Sequence, residues 1–159
     1  MEIEFRNLLA TECKEYRKIR LESLQRFPKS FCANYQQAIE TEILGLESDI
    51  ENETFGKFVY GAFSNNELIG ICALVKDEMN IGTIYQMYVQ DSFQGKNIGS
   101  KLVEEVIKEA KIRYGGIDIF LEVLRDNLKA YSLYKKIGFE EVNENENDTF
   151  FLMKYNATM

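Results

Sequence analysis

The sequence predicts a mixed α/β (α+β) fold, one domain in which a mostly antiparallel sheet of six to seven strands is flanked by about four helices. Three observations predict it. Segments rich in β-branched and aromatic residues alternate with segments whose apolar residues recur at helical spacing. The 159 residues are 45% apolar and 28% charged, ordinary for one unit large enough to bury a core. No internal repeat, low-complexity linker or compositional break divides them, so the elements are expected to share one sheet.

Taken in order, residues 2–9 form a short first strand through Ile3, Phe5 and Leu8. Thr11 is a suitable N-cap for a helix over residues 11–26, with Tyr16, Ile19, Leu21 and Leu24 among its apolar positions. Pro28, the single proline, ends it. The aromatic-rich stretch 27–35 reads as a loop that packs on the core or lines an acceptor pocket, and a second helix follows over 36–51. Strands at 55–63 and 68–75 flank Ser64-Asn65-Asn66-Glu67, a hairpin signal. After a turn at 76–80 come a strand at 81–89, a polar turn, and a helix that stops at Gly115-Gly116. An apolar strand at 117–124 is interrupted by Glu122. A helix over 127–137 ends at Gly138, and strands at 139–142 and 149–155 surround the acidic turn 143–148.

Composition narrows the chemistry. The net charge of −7 argues against nucleic acid, whose phosphates need a basic surface, and is compatible with a cationic substrate such as an amine. No apolar run approaches the roughly 18 residues of a membrane span and no signal peptide opens the chain, so no membrane partner and a cytoplasmic location are expected. The cysteines at 13, 32 and 72 are odd in number and far apart, which suggests neither a disulfide framework nor a metal site. With no histidine at all, Ser-His-Asp and Cys-His catalysis are excluded, and proton transfer falls to carboxylates, Tyr, Lys, Cys or backbone groups.

The chain is organised around residues 81–110. Their strand–turn–helix places Gln94, Gly95, Lys96, Asn97, Ile98, Gly99 and Ser100 at a helix start, where unpaired N–H groups and a positive dipole end can hold an anion such as a pyrophosphate. Asn97 suits such a turn because Asn tolerates the left-handed conformation. A P-loop is excluded, since Gln90 stands where its first Gly is required before Gly95-Lys96-Asn97. The Rossmann glycine fingerprint is absent too.

Gln94-Gly95-Lys96-Asn97-Ile98-Gly99 resembles the acyl-CoA-binding signature Gln/Arg-x-x-Gly-x-Gly/Ala of the GNAT superfamily of acyl-CoA-dependent N-acyltransferases. Asn127-Leu-Lys-Ala130-Tyr-Ser-Leu-Tyr134-Lys-Lys-Ile-Gly138-Phe139 is similar to its second motif, Asn-x-x-Ala-x-x-x-Tyr-x-x-x-Gly-Phe, in the same order and at a fitting separation. Two positions depart from the pattern: Asn97 replaces the usual Gly, and Asp91 stands where a Pro is common.

The resemblance implies acetyl-CoA as cosubstrate and no metal. Met87, Tyr88 and Val89 would offer backbone groups to the pantetheine arm, the turn from Gln94 to Ser100 would hold the pyrophosphate, and Asn127 would contact the cofactor or cap its helix. An N–H of the strand would steady the oxyanion of a tetrahedral intermediate. Tyr134 matches the family's proton donor to the departing thiolate. Glu122, twelve residues before it, is similar in placement to the base of members that acetylate protein N-termini, with a solvated strand end as its other reading and Glu78 or a water chain as substitutes. The expected reaction is acetylation of a primary amine on a small molecule. Acetylation of a protein N-terminus or lysine, or non-catalytic acyl-CoA sensing, are the alternatives, and a homodimer is common in the family.

Overall fold

The computed structural model describes residues 2–26, 50, 55–142 and 149–156. The loop expected at 27–35, nearly all of the helix expected at 36–51 and the acidic turn 143–148 lie outside them.

Seven strands form one sheet: β1 (Ile3–Asn7), β2 (Lys57–Ser64), β3 (Glu67–Lys76), β4 (Ile81–Val89), β5 (Asp118–Leu124), β6 (Phe139–Glu141) and β7 (Phe150–Tyr155). Their order is β1-β2-β3-β4-β5-β7-β6, and only β4 and β5 run parallel. Three α-helices accompany them among the described residues, α1 (Cys13–Arg26), α2 (Ile98–Tyr114) and α3 (Leu128–Ile137). The α2 segment makes the crossover that a parallel pair requires.

The hairpin between β2 and β3 closes where the sequence signals it. Ser64 pairs with Glu67, and Asn65 and Asn66 both take positive φ, 50° and 67°, as a two-residue primed turn demands. The start of α1 differs from expectation. A 3-10 turn at Ala10–Glu12 precedes it, and the Leu9 N–H donates to Glu12 Oε1 at 2.7 Å, so Glu12 rather than Thr11 organises the entry. The same carboxylate takes a two-pronged hydrogen bond from Arg6, both contacts at 2.9 Å, which a threonine hydroxyl has no second oxygen to accept.

Apolar periodicity sorts the two faces. Ile98, Leu102, Val103, Val106, Ile107 and Ala110 of α2 are buried against Leu74, Ile84, Ile119, Leu121 and Met153 of the sheet. On the other face Cys13, Tyr16, Ile19 and Leu24 of α1 pack with Val59, Ile71, Ala73 and Tyr88. Full burial of each large apolar side chain contributes about 1.5–3 kcal/mol, so these two layers fix which strand edges and ends remain for chemistry. No described helix is long and apolar enough to cross a membrane.

Candidate active site

The site begins where β4 and β5 part. Their parallel pairing covers Ile81–Thr83 against Asp118–Phe120, while β4 continues along β3 to Val89. Ala73 pairs with Tyr85 and Ile71 with Tyr88, so Gln86 and Met87 together face the single residue Cys72. That is a β-bulge, and Gln86 takes φ 58° at it. A bulge bends and twists its strand, which turns the second half of β4 away from β5 and opens a wedge between them. The β5-facing backbone of β4 beyond Thr83 is thereby without a strand partner among the described residues, a ready edge for an extended ligand.

Beyond Val89 the chain turns once through Asp91–Phe93. Gln94 Nε2 donates to the Val89 carbonyl at 2.8 Å, which folds the turn back on the strand end. Gly95 has φ +80°, and a Cβ there would meet nothing within 4 Å, so conformation rather than crowding selects glycine. Asn97, in the place of the signature's glycine, adopts the left-handed conformation at φ 61° and forms the N-cap of α2. Gln94, Gly95, Lys96 and Asn97 are exposed, whereas Ile98 is buried and anchors the helix start. The first turn of α2 carries no acidic residue that would repel an anion. Gly99 lies against Met87, whose Sδ would sit 3.7 Å from a Cβ there, so the turn and the strand edge form one continuous surface.

Tyr134 and Glu122 lie on opposite faces of the sheet. Ile119, Leu121 and Val123 point into the α2 core, so Glu122 alternates outward and is exposed, two residues past the last β4–β5 pair. Tyr134 is buried within the α2 core, its ring edge-on to Phe139 at 5.9 Å between centroids. Burial, with Cys72 nearby adding to it, pushes its phenol well above the ordinary value, so the hydroxyl keeps its proton throughout the physiological range. Asn127 Oδ1 accepts from the Ala130 N–H at 3.2 Å and caps α3, its second reading from the sequence. Glu78 sits in the β3–β4 turn, at the opposite end of β4 from the wedge.

Three residues of α1 reach β4 and its exit through polar contacts not foreseen from the sequence. Tyr16 donates to Gln86 Oε1 at 2.8 Å, Glu22 accepts from Tyr88 and Gln90, and Arg26 pairs with Asp91. The apolar spacing of α1 shows which side of the helix packs, but not which polar groups reach β4.

An open strand edge thus runs into a helix start with no acidic residue in its first turn, and a buried phenol lies on the α2 side of the sheet. The model of the acetyltransferase (GNAT) family matches residues 17–139. The chain belongs to that family and is an N-acetyltransferase. It is 29% identical over 145 residues, 89% of its length and 82% of the relative's, to an N-alpha-acetyltransferase of Sulfurisphaera tokodaii. To the ribosomal protein bS18 alanine N-acetyltransferase of Haemophilus influenzae it is 36% identical over 85 residues, 52% of this chain and about half (55%) of that relative. A crystal structure of the PaiA N-acetyltransferase from Thermoplasma acidophilum in complex with coenzyme A has a TM-score of 0.75, with 99% of this chain and 100% of that one covered at 23% identity.

Proposed function

We propose that the protein transfers an acetyl group from acetyl-CoA to a primary amine, and that the amine is the α-amino group of a peptide or protein N-terminus. In this reading the β4 edge at Met87, Tyr88 and Val89 pairs with the pantetheine arm as an added strand would. The amides from Gln94 to Ser100 take the pyrophosphate at the start of α2, with Lys96 contributing charge. Asn127 keeps its amide nitrogen for the cofactor while its oxygen caps α3. The amine attacks the thioester carbon, an amide N–H of the wedge holds the oxyanion, and the tetrahedral intermediate collapses with loss of CoA thiolate. Tyr134 gives that thiolate a proton, the proton lost by the nitrogen passes through water to Glu122, and the phenoxide regains a proton from solvent before the next turnover. Burial that raises the phenol also raises a thiolate entering the same surroundings, so the two stay matched despite their ordinary values of about 10 and 8.5.

The observation that carries the choice of acceptor is the exposure of Glu122. An alkyl amine of pKa about 10.4 is free base in on the order of one molecule per thousand at neutral pH and needs a strong, desolvated base. An α-amino group of pKa about 7.7–8.0 is already roughly one-quarter neutral at pH 7.4. A solvated carboxylate relaying a proton through water is enough for the second and poor for the first. The relatives named as an N-alpha-acetyltransferase and as a ribosomal protein bS18 alanine N-acetyltransferase support a protein acceptor. A small-molecule amine is the second reading, favoured by the net charge of −7, which would draw in a polycation.

The test is steady-state acetylation of a panel of hexapeptides with free N-termini, their N-blocked lysine-containing counterparts, and a polyamine. Turnover restricted to free α-amines is the expected result. Preferential turnover of the polyamine selects the second reading, and no thermal stabilisation by any acyl-CoA would remove both.

A further inference from the structure

The half of β4 that leaves β5 has lost a neighbour, so something else must set its direction. On one side the β3 ladder holds it, through Tyr88 opposite Ile71 and Val89 opposite Gly70. On the α1 face, side chains hold it. Tyr88 is buried, and its hydroxyl donates to Glu22 Oε2 at 2.5 Å. Gln90 Nε2 donates to Glu22 Oε1 at 3.2 Å. One carboxylate thus has both oxygens on β4 and its exit, gripping the residues on either side of Val89. Val89 is also the residue whose carbonyl Gln94 Nε2 reaches to close the turn. Arg26, one helical turn further along α1, pairs with Asp91 in the turn itself.

We infer that Glu22 is a positioning residue for the cosubstrate: by holding Tyr88 and Gln90 together it sets the angle between the strand edge and the anion-holding turn. This rests on the acyl-CoA reading of the site. A ligand that spans both parts gains from their being held in register, because its second contact is then made within one molecule and not afresh. A ligand that occupies the turn alone gains nothing from that angle. Glu22 touches no reacting group, so its effect appears in the difference between long and short ligands.

Calorimetric titration of acetyl-CoA, and of adenosine 3′-phosphate 5′-diphosphate as the same nucleotide without pantetheine, reads that difference. For Glu22→Ala the expected result is about a tenfold loss of acetyl-CoA affinity, with the truncated nucleotide changed less than twofold. Glu22→Gln, which keeps one accepting oxygen, should fall between. Tyr88→Phe removes one hydroxyl and preserves the packed ring, so it carries the test should Glu22→Ala fold poorly, with an expected threefold or greater loss for acetyl-CoA only. Parallel losses for both ligands, or acetyl-CoA affinity within twofold of wild type in both Glu22→Ala and Tyr88→Phe, overturn the inference and leave the acyl-CoA reading intact. Wild-type protein that binds neither ligand overturns both.

Discussion

Tyr134→Phe removes one oxygen from a buried side chain and nothing else. The ring keeps its place in the α2 core and its edge-on contact with Phe139 at 5.9 Å, so stability should change by less than about 1 kcal/mol, within the range for a single neutral hydrogen-bonding group. The rate should change far more. General acid catalysis contributes up to roughly 10²–10⁴, and a thiolate is a good enough leaving group to need only part of it, so we expect kcat to fall at least about tenfold, equivalent to about 1.4 kcal/mol of barrier. Acetyl-CoA affinity should stay within twofold, because the thiolate exists only after attack. Steady-state thiol release gives kcat and KM, single-turnover acetylation isolates the chemical step, and thermal melting checks the fold. Burial also fixes the sign of the pH effect. A phenol raised above its ordinary value stays protonated beyond pH 10, so the wild type should show no alkaline limb from Tyr134 below that pH. Single-turnover rates within twofold of wild type would refute the role. An alkaline limb that vanishes in Tyr134→Phe would refute the account of its burial.

Glu122→Gln keeps the side chain's size at an exposed strand position, so we expect kcat for an N-terminal peptide to drop about tenfold or more with an unchanged melting temperature; wild-type turnover would remove Glu122 as base. Glu12 is held below its ordinary value chiefly by the Arg6 hydrogen bonds, so its contribution is present above about pH 4.5 and is lost as pH falls through the folded-state value. Glu12→Gln should therefore cost about 1–2 kcal/mol at pH 7, allowing for the partial exposure of Arg6, and the gap in melting temperature should narrow as pH falls through the folded-state value. Gly138 sits at φ +128°, and a Cβ there would stand 3.1 Å from the Tyr155 ring, so Gly138→Ala should destabilise by about 2 kcal/mol in urea titrations; a change below 0.5 kcal/mol would contradict the strain.

Legibility in the sequence followed how local the cause was. Asn65-Asn66 reads as a primed turn because both φ values are set by neighbours in the chain, and the α2 stripe from Ile98 to Ala110 reads from its spacing. Asn97 was readable as a left-handed residue for the same reason. The entry to α1 was not, because Glu12 is drawn away from a simple cap by Arg6 on β1. The outward side of Glu122 was implicit in its interrupting an apolar strand. That it emerges just past the β4–β5 junction depends on a register no local pattern encodes.

The least legible feature is the one on which the wedge depends. Of the five non-glycine residues with positive φ among the described residues, four are asparagines at 65, 66, 80 and 97, all in turns, where the side chain tolerates the conformation. The fifth, Gln86, lies inside a strand. Glutamine has no such tolerance, and the conformation costs of order 1–3 kcal/mol unless the surroundings impose it. Here they do: Tyr16 on α1 donates to its side chain at 2.8 Å, and the β3 ladder resumes at Tyr88 on one side and Tyr85 on the other. The cost is met by packing of α1 and yields an open strand edge, where the proposed function puts the cosubstrate. Strain, wedge and α1 contacts are therefore one device. Gln86→Gly relieves the backbone strain but removes the acceptor of the buried Tyr16 hydroxyl, so the melting temperature should change little while the strand edge loosens, read as weaker acetyl-CoA binding by calorimetry; unchanged binding would contradict the link.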